Sequence, residues 1–203
     1  MKTQIYLVRH GQTDWNKNKR IQGWTDIPMN NTGIREAEQL AEKVRTISVD
    51  AVYSSPLKRA YQTAEIISRH HKIPIISVDA LKEAGFGVFE GLKWEELMSH
   101  PLIAGRHDGN DRFHDRTGEG ESIHDVYLRT SSAIDDLVHK HQNESILIVS
   151  HGLAIKTIAY HAGIVSRDQI EQIEIKNAQL YHLDYNHATG DYGIIDFPIT
   201  WRI

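Results

Sequence analysis

The chain contains no cysteine in its 203 residues. That excludes a disulfide framework, a thiol nucleophile and a thiolate metal site. Positive charge is not in excess either. The 23 lysines and arginines are outnumbered by 27 acidic residues, for a formal net charge of −4. There is thus no basic footprint for nucleic acid or an anionic membrane, and any attraction for an anion must be local. No apolar run is long enough to span a bilayer. Met1-Lys2-Thr3-Gln4 leads into only about five apolar residues, too few for a signal-peptide core. The expectation is a cytoplasmic protein with no membrane and no nucleic-acid partner. Repeats and low-complexity stretches are lacking too. What remains is the composition of an ordinary globular chain, 40% hydrophobic and 25% charged, of a length that suits a single domain over residues 1–203.

The apolar run Ile5 to Val8 reads as a buried strand that stops on Arg9-His10-Gly11. Strand packing does not favour that ending. A cation, a titratable ring and a glycine that lets the backbone turn suit an anion site at a strand's carboxyl end. A strand that merely ends on polar residues is the alternative. The long loop Gly11 to Asn31 comes next, and its two tryptophans argue against disorder. Thr32 is positioned as the N-cap of a helix to about Arg45, with Ile34, Ala37, Leu40, Ala41 and Val44 at helical spacing. A strand over Asp50–Ser55 precedes a helix with Pro56 in its first turn and Leu57, Ala60, Tyr61, Ala64 and Ile67 on its apolar face.

Ile73 to Val78 reads as a third strand, whose proline suits an edge. The glycine-rich segment Leu81 to Gly91 reads as a loop. Lys93 to His100 is a short helix with Trp94, Leu97 and Met98 inward, within a lid-like excursion at about 92–120. A long helix spans Ser122 to about His141, opened by a Ser122/Asp125 capping box. The nearly all-apolar Ser145–Ser150 is the central parallel strand. It ends on His151-Gly152 and feeds a helix to about Ala162. Gln179–Tyr185 and Tyr192–Phe197 form a terminal hairpin. Alternating strands and helices give an α/β fold with a mostly parallel sheet and an antiparallel edge.

Two strands therefore end alike, at Arg9-His10-Gly11 and at Ser150-His151-Gly152. Ligands of open α/β sheets bind beyond the carboxyl ends of the strands, and the amides that open the helix at Gly152 attract anions. Arg59, in the first turn of the helix after the second strand, and Glu83, just after the third, fall on the same rim. Two arginines and a histidine neutralise a phosphoryl dianion. A second histidine kept neutral by neighbouring cations attacks phosphorus through a ring nitrogen. A carboxylic acid protonates the departing alkoxide. This chemistry needs no metal and no cofactor.

These residues carry a resemblance. Leu7-Val8-Arg9-His10-Gly11-Gln12-Thr13 with Asn16, the Ser54–Ala64 segment, Glu83, Gly120-Glu121-Ser122 and Val149-Ser150-His151-Gly152 resemble, in order, the motifs of the histidine phosphatase superfamily, phosphoglycerate-mutase branch. The resemblance covers nearly the whole chain. It implies a three-layer α/β/α sandwich and a phosphohistidine intermediate. By match, His10 is the nucleophile, Arg9, Arg59 and His151 complete the phosphate pocket, and Glu83 is the proton donor. Asn16, Gln22, Gly23 and Gly152 fall where the family contacts phosphate or substrate. Mutases of the branch carry a longer basic insertion after the proton donor, which this chain lacks. The resemblance thus points to a metal-independent phosphomonoesterase acting on a small phosphorylated metabolite, best at mildly acidic pH. A phosphoglycerate mutase and a non-catalytic phosphate-binding module are the alternatives.

Further residues have two readings each. Arg106, Arg112 and Arg116 either meet a second anionic group on the substrate or belong to a solvated loop of mixed charge. His107, Asp108, Asp111 and His114 have no metal-ligand spacing. Phe86, Val88, Phe89 and Trp94 form an apolar wall for the leaving group or pack a core. Trp15 and Trp24 shape the pocket mouth or anchor the loop. His70, His71, His161, His182 and His187 are surface or packing residues.

Overall fold

The structure, a computed structural model, describes residues 1–100, 113–116 and 119–201. The strands among these residues are β1 (Lys2–Arg9), β2 (Ala51–Ser54), β3 (Ile75–Ser77), β4 (Ser145–Ser150), β5 (Ile173–Glu174), β6 (Leu180–Asn186), β7 (Asp191–Asp196) and β8 (Thr200–Trp201). Six of them form one sheet in the order β3-β2-β4-β1-β6-β7. The strands from β1 to β4 run parallel, while β6 and β7 form the antiparallel side. A small second sheet pairs β5 with β8. Strands of two residues carry no readable period, so the sequence does not announce them.

Period-two alternation divides the core into two layers. On β1, Ile5 and Leu7 face one side and Val8 the other; on β4, Ile146 and Ile148 oppose Leu147 and Val149. The first side is covered by α5 (Ile123–Lys140) and α6 (Gly152–His161), through Ile134, Leu137, Val138, Ile155 and Ile158. The second is covered by α2 (Asn31–Val44) and α3 (Lys58–Ser68), through Ala37, Leu40, Val44, Ala60, Ala64 and Ile67. This is the three-layer α/β/α sandwich. The short helices α1 (Asp14–Lys17) and α4 (Trp94–Ser99) lie outside those layers' main contacts.

Several boundaries differ from the sequence expectation. The N-cap of α2 is Asn30, whose side chain accepts from the Gly33 amide, and Ile34 is partly exposed. Pro56 lies ahead of α3; Leu57 is its N-cap, and Asp26 from the preceding loop accepts from the Lys58 amide. Trp94 is 44% exposed and Val88 67%, so neither packs in the core, whereas Phe89 and Leu97 pack with Ile21. The Ser122/Asp125 capping box forms as read. No helix among the described residues is long and apolar enough to cross a membrane.

Candidate active site

The register of the two central strands builds the site. Val8 pairs with Val149 and Arg9 with Ser150, and the His10 amide donates to Ser150 O at 3.0 Å, extending the ladder by one step. His10 and His151 therefore leave the sheet side by side, with ring centroids 5.1 Å apart. Both are buried. On the other flank of β4, the Ser55 amide donates to Val149 O, which brings the Ser55 hydroxyl within 2.8 Å of His151 Nε2.

Hydrogen bonds fix the state of the His10 ring. His10 Nδ1 lies 2.8 Å from Gly11 O. A carbonyl only accepts, so Nδ1 carries the hydrogen and Nε2 of the neutral ring holds a lone pair. Burial, and then the charges of Arg59 and Arg9, hold His10 well below the usual histidine range. His151 is lowered in the same way by burial, then by Arg59, His10 and Arg9. Ser55 Oγ accepts from the Leu57 amide; with its hydrogen given to His151 Nε2, the ring's proton is on Nδ1, a buried atom without a protein partner among the described residues, and with the roles reversed it is on Nε2.

Arg59 is fully buried. Its Nη1 donates to Thr25 O at 3.0 Å and its Nη2 to Gly23 O at 2.7 Å, while Nε has no partner among the described residues. Burial brings its pKa down to about 10, partly offset by Glu83 and Asp26, so it stays charged at neutral pH. Arg9 Nη1 donates to Ile175 O at 2.6 Å. Glu83 is reached from the opposite side. The position a Cβ would take on Gly152 lies 3.5 Å from Glu83 Oε2 and 3.7 Å from Arg9 Cζ, so these three residues converge. At the start of α6 it is the Glu83 side chain that accepts, from the Leu153 amide at 3.1 Å and from the Ala84 amide at 3.0 Å.

The loop after β1 joins this centre by its own bonds. Thr13 caps α1 in a reciprocal box with Asn16, and its hydroxyl also reaches Gln22 Oε1. With Asn16 Oδ1 and Gln22 Oε1 so engaged, the groups left over are their amide NH₂ donors, which suit an anion. Gly23 sits at φ +55°, and a Cβ there would lie 2.0 Å from Glu90 Oε1. Gly11 does not use its freedom to turn. Its value is closeness, because a Cβ would meet Gly33 O at 2.5 Å.

Supporting residues that the sequence reading missed now appear. Thr63, one turn after Arg59, accepts from the Gly11 amide. Glu90 accepts from the Trp24 and Thr25 amides, the Thr25 hydroxyl and the Phe86 amide, and so holds the carbonyls that hold Arg59. Asn177 donates to His10 O. Ser55 had a signal, as a hydroxyl at a strand's exit beside the histidines. Glu90 and Asn177 act across the fold and had none. Trp24 donates through Nε1 to Glu83 O, combining loop anchor and rim. Of the excursion's arginines, Arg116 pairs with Asp125 at 3.0 Å; Arg106, Arg112, His107, Asp108 and Asp111 lie outside the described residues. His161, His182 and His187 pack against Asp135, Tyr6 and Thr3 respectively. Among the described residues no three acidic or histidine side chains are grouped to hold a metal ion.

The chain is similar to known proteins. The uncharacterised phosphatase PhoE of Bacillus subtilis is 37% identical over 199 residues, covering 97% of this chain and 95% of its own. Phosphoglycerate mutase-like protein 4 of Arabidopsis thaliana is 32% identical, covering 89% of this chain and 79% of its own. The structure of an Entamoeba histolytica phosphoserine phosphatase variant in complex with phosphoserine superposes with a TM-score of 0.84 at 28% identity, over 97% of this chain and 96% of that one. The model of the histidine phosphatase superfamily, branch 1, matches residues 5–193, and the chain belongs to that family.

Proposed function

We propose that the protein is a metal-independent phosphomonoesterase that works through a phosphohistidine on His10. The observation that carries this reading is the tautomer of His10: with Nδ1–H bonded to Gly11 O, the free lone pair is on Nε2, in a ring that burial and two arginines keep neutral. The lone pair attacks phosphorus, the bond to the ester oxygen breaks, and the Glu83 carboxyl gives its proton to the departing alkoxide. Arg9, Arg59 and His151 Nδ1–H take the charge on the non-bridging oxygens. Asn16, Gln22, Gly23 and Gly152 line the remaining contacts. Water then attacks the phosphohistidine while the Glu83 carboxylate takes its proton, the P–N bond breaks, and inorganic phosphate leaves.

The substrate is a small phosphorylated metabolite. Support comes from solved relatives described as holding phosphoserine and 3-phosphoglyceric acid, both small acids with one phosphoryl group. The test is rapid-quench trapping with a radiolabelled phosphomonoester. An acid-labile label that maps to His10 and is lost in His10→Ala supports the reading; turnover without any such adduct refutes it. The likeness to a mutase-like relative keeps a second reading, phosphoglycerate mutase. A bisphosphoglycerate-primed assay for interconversion of the two monophosphoglycerates decides between transfer to water and transfer to a second hydroxyl.

A further inference from the structure

A guanidinium outside the phosphate pocket has every donor committed to the backbone that carries Glu83 or to the carboxylate beside it. Arg129, on α5, gives Nη1 to Ala80 O and Lys82 O, both at 2.7 Å, and Nη2 to Glu83 O at 2.9 Å. Its Nε and Nη2 make a two-point fork to Glu121, at 2.8 and 2.9 Å. Five N–H groups meet five acceptors, which uses the whole inventory of the side chain. Glu121 in turn accepts from the Gly85 amide at 2.9 Å, and its own amide donates to Gly85 O at 2.8 Å. The pair thus grips residues 80, 82, 83 and 85. Both side chains are only 19% exposed. The segment they grip runs from inside one short 3₁₀ turn, Asp79–Leu81, to just before another, Gly87–Phe89, and between them lacks a repeating hydrogen-bond ladder of its own.

From this juxtaposition we infer that Arg129 and Glu121 are positioning residues for the proton donor: they hold the Glu83 backbone so that its carboxyl meets the leaving oxygen. The inference rests on the phosphatase reading above. A planar fork is what the arrangement requires. Lysine offers its donors from a single point and cannot span three carbonyls and a carboxylate at once. Proton donation depends on a carboxyl within hydrogen-bond reach of the leaving oxygen, so a displacement of about 1 Å is costly.

Leaving-group chemistry separates positioning from mere support. A nitrophenolate departs without a proton, whereas an alkoxide needs one. The experiment measures kcat/KM, which reports formation of the phosphohistidine and not its later hydrolysis, on 4-nitrophenyl phosphate and on glycerol phosphate for the wild-type chain and for Arg129→Lys, which keeps the positive charge but loses the fork. Glu121→Gln serves as a second route to the same loss. The expected result is a fall in kcat/KM of about 10²-fold on glycerol phosphate, at the lower end of what general acids contribute, with kcat/KM on the aryl ester nearly kept. On a Glu83→Gln background, Arg129→Lys should add no further loss, because both changes remove one function. Equal losses on the two esters, or a full extra loss on the Glu83→Gln background, overturn the inference while leaving the phosphatase reading intact. A wild-type chain that hydrolyses neither ester overturns the phosphatase reading and this inference with it.

Discussion

Acid should weaken this fold through the same two histidines that make the site. His10 and His151 are both held well below the ordinary histidine value of 6.5 by burial and by neighbouring arginines. In the unfolded chain they titrate normally. Between that value and their depressed folded values, the unfolded state binds more protons than the native state, so stability falls as pH falls. Taking the pH from about 7.5 to about 5.5 across an unfolded pKa near 6.5 costs about 1.4 kcal/mol for each imidazole that stays neutral in the fold, or about 2.7 kcal/mol for both. That is a large share of the roughly 5–15 kcal/mol that holds a typical domain together. Urea unfolding at the two pH values, in buffers without phosphate, measures it. The control is His10→Asn/His151→Asn, which cannot take up these protons. Wild type should lose up to about 2.7 kcal/mol more than the double variant over this interval. Identical losses in the two proteins would show that the rings titrate in the fold as they do in the unfolded chain and would remove the basis for an imidazole kept neutral by its surroundings.

The geometry gives three further expected outcomes. Arg59→Ala should lower kcat/KM by on the order of 10²-fold or more, as loss of one preorganised charge contact does; steady-state kinetics on an aryl phosphate measures it. Gly23→Ala forces a side chain into a left-handed backbone position and against Glu90; it should cost about 1–3 kcal/mol, read from the urea midpoint. Ser55→Ala removes the hydroxyl that bonds His151 Nε2 and should cost about 1–3 kcal/mol for the orphaned buried nitrogen; turnover should fall with it, because the ring is no longer held in place.

Much of this site was legible because strand exits are legible. Val8 and Val149 end two apolar runs, and the residues next in the chain after each run must lie at the sheet's carboxyl edge. Arg59 and Glu83 could be placed on that rim from element order alone. The pairing itself was not legible: that Arg9 lies beside Ser150 is a contact between distant segments, set by the packing of whole layers. Asn30, Asn31 and Thr32 are all good caps, and only the turn into the helix selects Asn30. Trp94 carries helical spacing but sits on an exposed face. Glu90, Arg129 and Asn177 act through backbone bonds to remote loops, which leave no period and no motif.

Arg59 is secured by the carbonyl oxygens of Gly23 and Thr25. A carbonyl fixes a guanidinium by its dipole without cancelling the charge, as a bound carboxylate would. In a phosphatase this has a cost at the end of the cycle. The unquenched charge that draws in an ester's phosphoryl group draws in orthophosphate as well, so the product competes for the vacated centre and the ambient phosphate level becomes a brake on turnover.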